Sequence, residues 1–375
     1  MCKYYSKLKI VLLFVLTGFF IFSFSCVSFA EDSTSFYNNE NDFSVELNEE
    51  AKDIMSQIGI EDADYDELMS LSPRRIISYI IDLLKGEIKT PFITAGAVLA
   101  IAALITVIGS FVKGQSSADS INTMIGSFLI ISVVSVPVSN VLTAAASSVK
   151  LTSEFMLSYI PALAGIVSAS GMPLTSAAYS AGTIGLAEII MQLCSKFFFA
   201  IISIILSMVF LSSLYNNFNS EKIIGLFKKF ITVALSLLAV VFVGMITIKG
   251  NLASSADSVA IKGIKLIAGN AIPIVGGAVG DAYTSILGSM TLIKNTVGSF
   301  GIIAICIINI PIVAELLLWY FAINICSVFC EILGNQNGKK ILDGISSAVV
   351  LVNTITIFSA VIFILATGVV VSLKG

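Results

Sequence analysis

YIPALAGIVSASGMPLTSAAYS, residues 159 to 180, is the stretch that decides the fold, together with AIPIVGGAVGDAYTSILGS at residues 271 to 289. Both stretches are apolar enough to enter a bilayer, but proline, glycine and serine punctuate them. Each lies between two long, uninterrupted hydrophobic runs. In a membrane, irregular backbone is tolerated only where protein shields it or where it faces a water-filled cavity. The two interrupted segments are therefore predicted to lie inside a helix bundle, away from lipid.

The composition indicates a polytopic membrane protein. The chain has 375 residues, of which 57% are hydrophobic and only 12% are charged, which is too little polar surface to coat a soluble globule. Six apolar segments have about the 20 residues that a helix needs to cross a bilayer. They lie at about 91–112, 121–142, 197–215, 230–248, 300–325 and 345–372. The predicted fold class is all-α, a polytopic membrane helix bundle.

The N-terminal region is predicted to be exported. Residues 1–30 have a basic start, an apolar run and small residues before Ala30, as a signal peptide does, although an uncleaved first span is the alternative. Residues 31–90 hold 15 of the 24 acidic side chains and form a small acidic helical region. This negative charge argues against nucleic acid as a partner.

Charge in the loops sets the orientation of the membrane domain, residues 91–375. If the leader is exported, the loops at 113–120, 216–229 and 334–340 lie in the cytoplasm, and lysines are found in all three. The positive-inside rule therefore agrees with the signal peptide. Each interrupted segment begins and ends on the outer face, either as a re-entrant hairpin or as a pair of crossings. The C-terminus is external in both cases.

The two halves of the membrane domain follow the same order of segments. Residues 121–215 contain a span, an amphipathic stretch, an Ile-Pro step with a small-residue segment, and a second span. Residues 230–325 repeat this order. Both halves enter the membrane from the same side, which predicts a parallel internal repeat.

Small residues and prolines in the interrupted segments are the candidate packing or conduit residues. Glycine allows helices to approach closely, and proline frees backbone carbonyl groups. These residues either line a pathway or gate, or they pack tightly in a bundle or at a subunit interface. The candidates are Pro161, Gly165, Gly171, Pro173, Pro273, Gly276 and Gly277.

Three carboxylates fall in apolar sequence and are candidate buried polar groups. Glu188 follows the first interrupted segment, Asp281 lies within the second, and Glu315 lies deep in the span that begins near residue 300. A carboxylate in hydrocarbon is costly unless it is neutral, paired or hydrated. In an ion-coupled transporter these groups would bind the proton or cation, and in a scaffold they would be contacts between helices.

Catalysis is not expected. The sequence contains no histidine, which removes the usual general base and the commonest metal ligand. A glycine-rich loop ending in Lys-Ser or Lys-Thr is also missing from the sequence. We therefore predict no catalytic residue, no cofactor and no metal site.

The chain resembles the stage III sporulation protein AE family of endospore-forming bacteria. The resemblance rests on YIPALAGIVSASG at 159–171, on Ser176-Ala177-Ala178, and on the punctuated hydrophobic remainder behind an exported leader. It implies an integral component of a channel-like or secretion-like complex in the outer forespore membrane, made in the mother cell. The implied partners are the other integral and exported proteins of that complex, membrane lipid and further copies of the chain, with the N-terminal region in the intermembrane space.

Overall fold

The computed structural model of the protein describes residues 86, 88–112, 116–214, 221–271 and 276–372, and every regular element in these ranges is helical. The α-helices are α1 Lys89–Val112, α2 Ser116–Ala169, α3 Pro173–Gln192, α4 Phe199–Leu214, α5 Glu221–Ala271, α6 Gly276–Ile332 and α7 Gln336–Ser372. A π-helical turn, Leu193–Phe198, joins α3 to α4 without a break. The all-α prediction is confirmed. The predicted signal peptide and nearly all of the acidic region lie outside the described residues.

The described residues contain six helical segments long and apolar enough to cross a membrane, as the sequence predicted. They lie in α1, α2, the continuous α3–α4 helix, α5, α6 and α7. Three of these helices are much longer than one crossing requires: α2, α5 and α6 have 54, 51 and 57 residues. At 1.5 Å per residue each is roughly 80 Å long, against about 30 Å of hydrocarbon. They therefore extend well beyond a single crossing.

The first interrupted segment is a corner between two helices. α2 ends at Ala169, and Gly171 has a φ of 83°, in the left-handed region that favours glycine. The Gly171 N–H donates to the Ser168 carbonyl and the Met172 N–H to the Val167 carbonyl, which is the Schellman arrangement at a helix C-terminus. Pro173 then begins α3, where its missing N–H has no helical partner to lose.

The same chemistry joins α6 to α7. Gly334 has a φ of 77°, its N–H donates to the Glu331 carbonyl, and the Asn335 N–H donates to the Cys330 carbonyl. The Asn335 side chain then caps α7, because its Oδ1 accepts a hydrogen bond of 2.9 Å from the Gly338 N–H. At both of these described corners, a glycine in the left-handed conformation is followed within two residues by the start of the next helix.

Pro161 does not interrupt the first segment, which corrects the sequence reading of that position. Pro161 and Pro137 lie inside α2, and Pro311 lies inside α6. An internal proline removes one backbone hydrogen bond but still has a helical φ. Long helices that pack along their length tolerate that loss, so proline alone does not mark a corner here.

Neighbouring helices pack side by side along the bundle. α6 and α7 form the most extensive contact, and α2 contacts α1, α3, α6 and α7. α7 touches α6, α2, α4, α5 and α3, and its span is the most buried of the six, whereas that of α5 is the least buried. α7 is therefore the central helix of the described bundle.

The predicted repeat falls on two pairs of long helical runs. Residues 121–215 fall on α2 followed by α3–α4, and residues 230–325 fall on α5 and α6. α5 ends at Ala271 and α6 begins at Gly276, so the second interrupted segment, like the first, contains the end of one helix and the start of the next. The common origin of the halves stays a prediction.

Candidate functional site: the polar interior of the bundle

Asn309 connects α2 and α6 through a buried polar contact. Its side-chain amide donates to Thr152 Oγ1 at 3.0 Å and to the Ile305 carbonyl at 3.0 Å, and its Oδ1 accepts from Ser148 Oγ at 3.4 Å. Thr152 and Asn309 are 0% and 3% exposed. Buried amides are stable only when they are paired, so this contact also fixes the register of the two helices.

Tyr159 makes the next contact along the same pair of helices. Its hydroxyl donates to the Val297 carbonyl of α6 at 2.7 Å, and its ring lies 5.4 Å from that of Phe155 and 5.3 Å from that of Phe363 on α7. The ring rests directly on Gly301 of α6, where there is no room for a Cβ atom. Close approach at a glycine therefore allows a fully buried aromatic cluster to join α2, α6 and α7.

The first corner is attached to the rest of the bundle by hydroxyl groups. Ser170 Oγ donates to the Met290 carbonyl of α6 at 3.1 Å, and Ser176 Oγ on α3 donates back to the Ala164 carbonyl of α2 at 2.6 Å. A Cβ atom on Gly171 would lie 2.9 Å from Leu287 Cδ2. Gly171 is therefore needed both for its positive φ and for close approach.

Asp257 of α5 caps the N-terminus of α3. Met172, the residue that precedes the helix, makes no side-chain capping bond. Instead, Asp257 Oδ1 accepts from the Leu174 N–H at 3.1 Å and Oδ2 from the Thr175 N–H at 2.8 Å. Asp257 is only 2% exposed. The two N–H groups and the positive end of the α3 dipole stabilise this buried carboxylate, and α5 is thereby attached to the corner.

Four buried hydroxyl groups near this cap lack a well-formed hydrogen bond among the described residues. Thr175, Tyr179 and Thr183 lie on one face of α3 at intervals of four residues, and Thr367 lies on α7. The Tyr179 and Thr367 hydroxyls lie beside each other, at the limit of hydrogen-bonding geometry. We call these four residues the hydroxyl track. A buried unpaired hydroxyl costs about 1–3 kcal/mol, so the hydroxyl track is a costly feature of a folded interior.

Two of the predicted packing residues face away from the described bundle. Pro161 and Gly165 are exposed, and a Cβ atom on Gly165 would meet no atom within 4 Å. Gly171 and Pro173, by contrast, form the first corner. Pro273 lies outside the described residues, and Gly276 and Gly277 begin α6 without a description of their surroundings. Four further described glycines have a neighbouring side chain less than 3.0 Å from an added Cβ atom: Gly126, Gly298, Gly301 and Gly344.

The structure describes the side chains of two of the three predicted carboxylates. Glu188 is half-buried on α3, where its Oε1 accepts from Gln192 Nε2 at 2.8 Å and its Oε2 is buried without a partner among the described atoms. Glu315 is half-buried on α6, one turn before the buried Trp319. The Asp281 side chain lies outside the described part of the chain. The carboxylate in the polar interior is instead Asp257, which the sequence reasoning missed.

The signals for the missed residues were weak. Asp257 lies in ASSADS, a polar stretch typical of an exposed helix turn, and Asn309 is one polar residue in an apolar run. The polar letters within the α7 span, at Asn353, Thr356 and Ser359, were the clearest available sign that this helix is central. All three are buried. Polar side chains at these positions in a membrane helix favour the bundle interior over lipid.

Comparison with known proteins identifies the family. The sequence profile described as Stage III sporulation protein AE (spore_III_AE) matches residues 61–374, which is most of the chain. The chain is also similar to the Stage III sporulation protein AE of Bacillus subtilis (strain 168), with 25% identity over 236 residues. That match covers 61% of this chain and 57% of the relative. No solved structure matches the chain. This multi-pass helical protein therefore belongs to the stage III sporulation protein AE family.

Proposed function

We propose that this chain is a non-enzymatic integral subunit of a channel-like or secretion-like complex that links the mother cell to the forespore. The observation that carries the proposal is the family membership of residues 61–374, combined with a bundle whose interior contains Asn309, Asp257 and the hydroxyl track. A helix bundle held by buried polar contacts suits a subunit that keeps a fixed shape inside an assembly.

The proposed location is the outer forespore membrane, with the α2–α3 corner in the intermembrane space. Along the chain, the α1–α2, α4–α5 and α6–α7 connections alternate with the α2–α3 and α5–α6 connections. Lysines lie near the α4–α5 and α6–α7 connections, at Lys222, Lys228, Lys229, Lys339 and Lys340. The positive-inside rule assigns the α1–α2, α4–α5 and α6–α7 connections to the mother-cell cytoplasm and the α2–α3 corner to the opposite side.

The compartment can be tested by complementation. In a strain of the host species that lacks the resident gene, expression of this chain from a mother-cell promoter is expected to restore spore formation, and expression from a forespore promoter is not. Other sporulation proteins should co-purify with the mother-cell form after mild detergent extraction. Restoration from the forespore alone, or purification of the chain as a free monomer from complementing cells, would contradict the proposal.

The orientation can be tested with single cysteines. Ala177 and Gln336 are both exposed, and they lie near the α2–α3 corner and the α6–α7 corner respectively. In vegetative cells that express the protein, a membrane-impermeant maleimide is expected to label Ala177→Cys in intact cells and Gln336→Cys only after permeabilisation. The opposite pattern would invert the topology.

A self-sufficient ion-coupled carrier is the second candidate, because Glu188 Oε2 is buried without a partner in the described structure. As a subunit of an assembly, the Glu188→Gln and Glu315→Gln variants should retain more than half of the wild-type spore count. In a carrier, either change should remove function while the protein still accumulates in the membrane. Spore counts and membrane protein levels, measured together, separate the two functions.

A further inference from the structure

The hydroxyl track has an unusual hydrogen-bonding pattern for threonines in a helix. Two other buried helical threonines donate to the carbonyl four residues earlier: Thr152 to Ser148 at 2.9 Å and Thr356 to Val352 at 3.1 Å. Thr183 and Thr367 do not make this bond, although both lie within regular helices. A bond that is locally available but not formed leaves each hydroxyl free for another partner.

All four side chains of the hydroxyl track are buried. Thr175, Thr183 and Thr367 are 0% exposed and Tyr179 is 3% exposed, so water reaches them only through the protein interior. Thr175 to Thr183 spans eight residues of α3, which is about 12 Å. The hydroxyl track begins beside Asp257, which accepts a hydrogen bond from the Thr175 N–H. It also approaches Tyr159, the side chain that joins α2 to α6.

The uncharged side chains of the hydroxyl track favour a neutral hydrogen-bond partner. The four side chains are uncharged hydroxyls that can each donate and accept a hydrogen bond. Asp257 lies at one end of the hydroxyl track, and both of its oxygens already accept hydrogen bonds from N–H groups at the N-terminus of α3. An ion bound at the hydroxyl track would meet no opposite charge among these four residues, whereas a water molecule needs only two to four polar partners.

We propose that the hydroxyl track is a hydrated internal site, in which ordered water molecules bind Thr175 and Thr183 of α3 and the adjoining hydroxyls of Tyr179 and Thr367. These waters complete the hydrogen bonds that the helices leave open. They also place water in the contact between α3 and α7. This inference concerns the chain itself and does not depend on its place in a sporulation complex.

Cysteine labelling tests whether water reaches the site. Thr183→Cys and Thr367→Cys, each as the single cysteine of the full-length protein, are expected to react with methanethiosulfonate ethylammonium at least ten times faster than two buried controls. The controls are Ile190→Cys and the native Cys194, which are 2% and 0% exposed on the same continuous helix. Labelling of the test positions at the control rate would overturn the proposal.

The sign of a stability change gives an independent test. Thr183→Val keeps the shape of the side chain and removes the hydroxyl. At a hydrated site the change breaks a water-mediated network and should lower Tm by several degrees. At a dry site it removes an unpaired polar group and should raise Tm. Thr354→Val, at a half-buried threonine bonded to the Val350 carbonyl, is the control for losing a local bond. A rise in Tm for Thr183→Val would refute the hydrated site.

Discussion

Replacement of Gly301 by alanine is expected to destabilise the bundle, whereas the same change at Gly165 is expected to stabilise it slightly. At Gly301 the new methyl group would overlap the Tyr159 ring, which is fully buried and bonded to the Val297 carbonyl. Overpacking of a core costs about 1–3 kcal/mol, and displacement of the ring also loses a hydrogen bond of about 1 kcal/mol. The gain of about 1 kcal/mol in helix propensity does not offset both losses.

Gly165 is the matched control for this substitution. It also lies in a helix that contributes to the bundle, but it is exposed and an added Cβ would meet no atom within 4 Å. Gly165→Ala should therefore gain roughly 0.5–1 kcal/mol from reduced backbone entropy. Thermal unfolding in detergent and protein levels in membranes measure both effects. Equal losses at the two positions would show that the glycine contacts are not those described here.

A double mutant tests the cause of the Gly301 effect. Tyr159→Leu alone is expected to destabilise the protein, because the aromatic cluster with Phe155 and Phe363 loses a ring. In the Gly301→Ala background the same change should cost much less, since the clash disappears with the ring. Strictly additive Tm changes would argue against a direct contact between the two residues.

Removal of the Asp257 carboxylate is expected to be the most damaging polar substitution in the described bundle. Asp257→Ala leaves the Leu174 and Thr175 N–H groups without their acceptor in a buried place. Each bond to a charged group is worth about 1.5–3 kcal/mol, so a loss of about 3 kcal/mol or more is expected. Asp257→Asn keeps one acceptor oxygen and should have an intermediate effect.

Ser255→Ala provides the control for the Asp257 variants. Ser255 lies two residues away on the same helix, is exposed, and bonds only to the Asn251 carbonyl of its own helix. Its removal should change Tm by less than the measurement error. Hydrogen exchange at the start of α3 should accelerate in Asp257→Ala and remain unchanged in Ser255→Ala. If Asp257→Ala kept the Tm and exchange rates of the control, the cap would have no energetic role.

The corners show how far local sequence chemistry can be read. Gly171 followed by Pro173 combines a left-handed C-terminal residue with a proline that suits a first helical turn, and both signals act over a few residues. Pro161 is also a proline, but it lies within α2. A proline without a nearby glycine in the left-handed conformation was therefore not enough to predict a helix end.

The tight contacts could not be predicted in the same way. Gly165 and Gly301 are both glycines within apolar sequence, and only one of them meets an aromatic ring. Which face of a membrane helix packs is obscured when hydrophobic residues surround it on all sides, because lipid and protein interior favour the same side chains. The amphipathic pattern that identifies the buried face of a soluble helix is missing here.

Sequence by itself determined the all-α class, the six apolar spans and the family, because hydrophobicity and helix length are properties of short segments. Tertiary structure alone decided the partner of Asp257, which lies more than 80 residues from the helix it caps, and the assembly of the hydroxyl track from α3 and α7. The physical reason is that hydrogen bonds and close contacts depend on ångström-scale positions. The packing of distant helices sets those positions, and local sequence does not encode them.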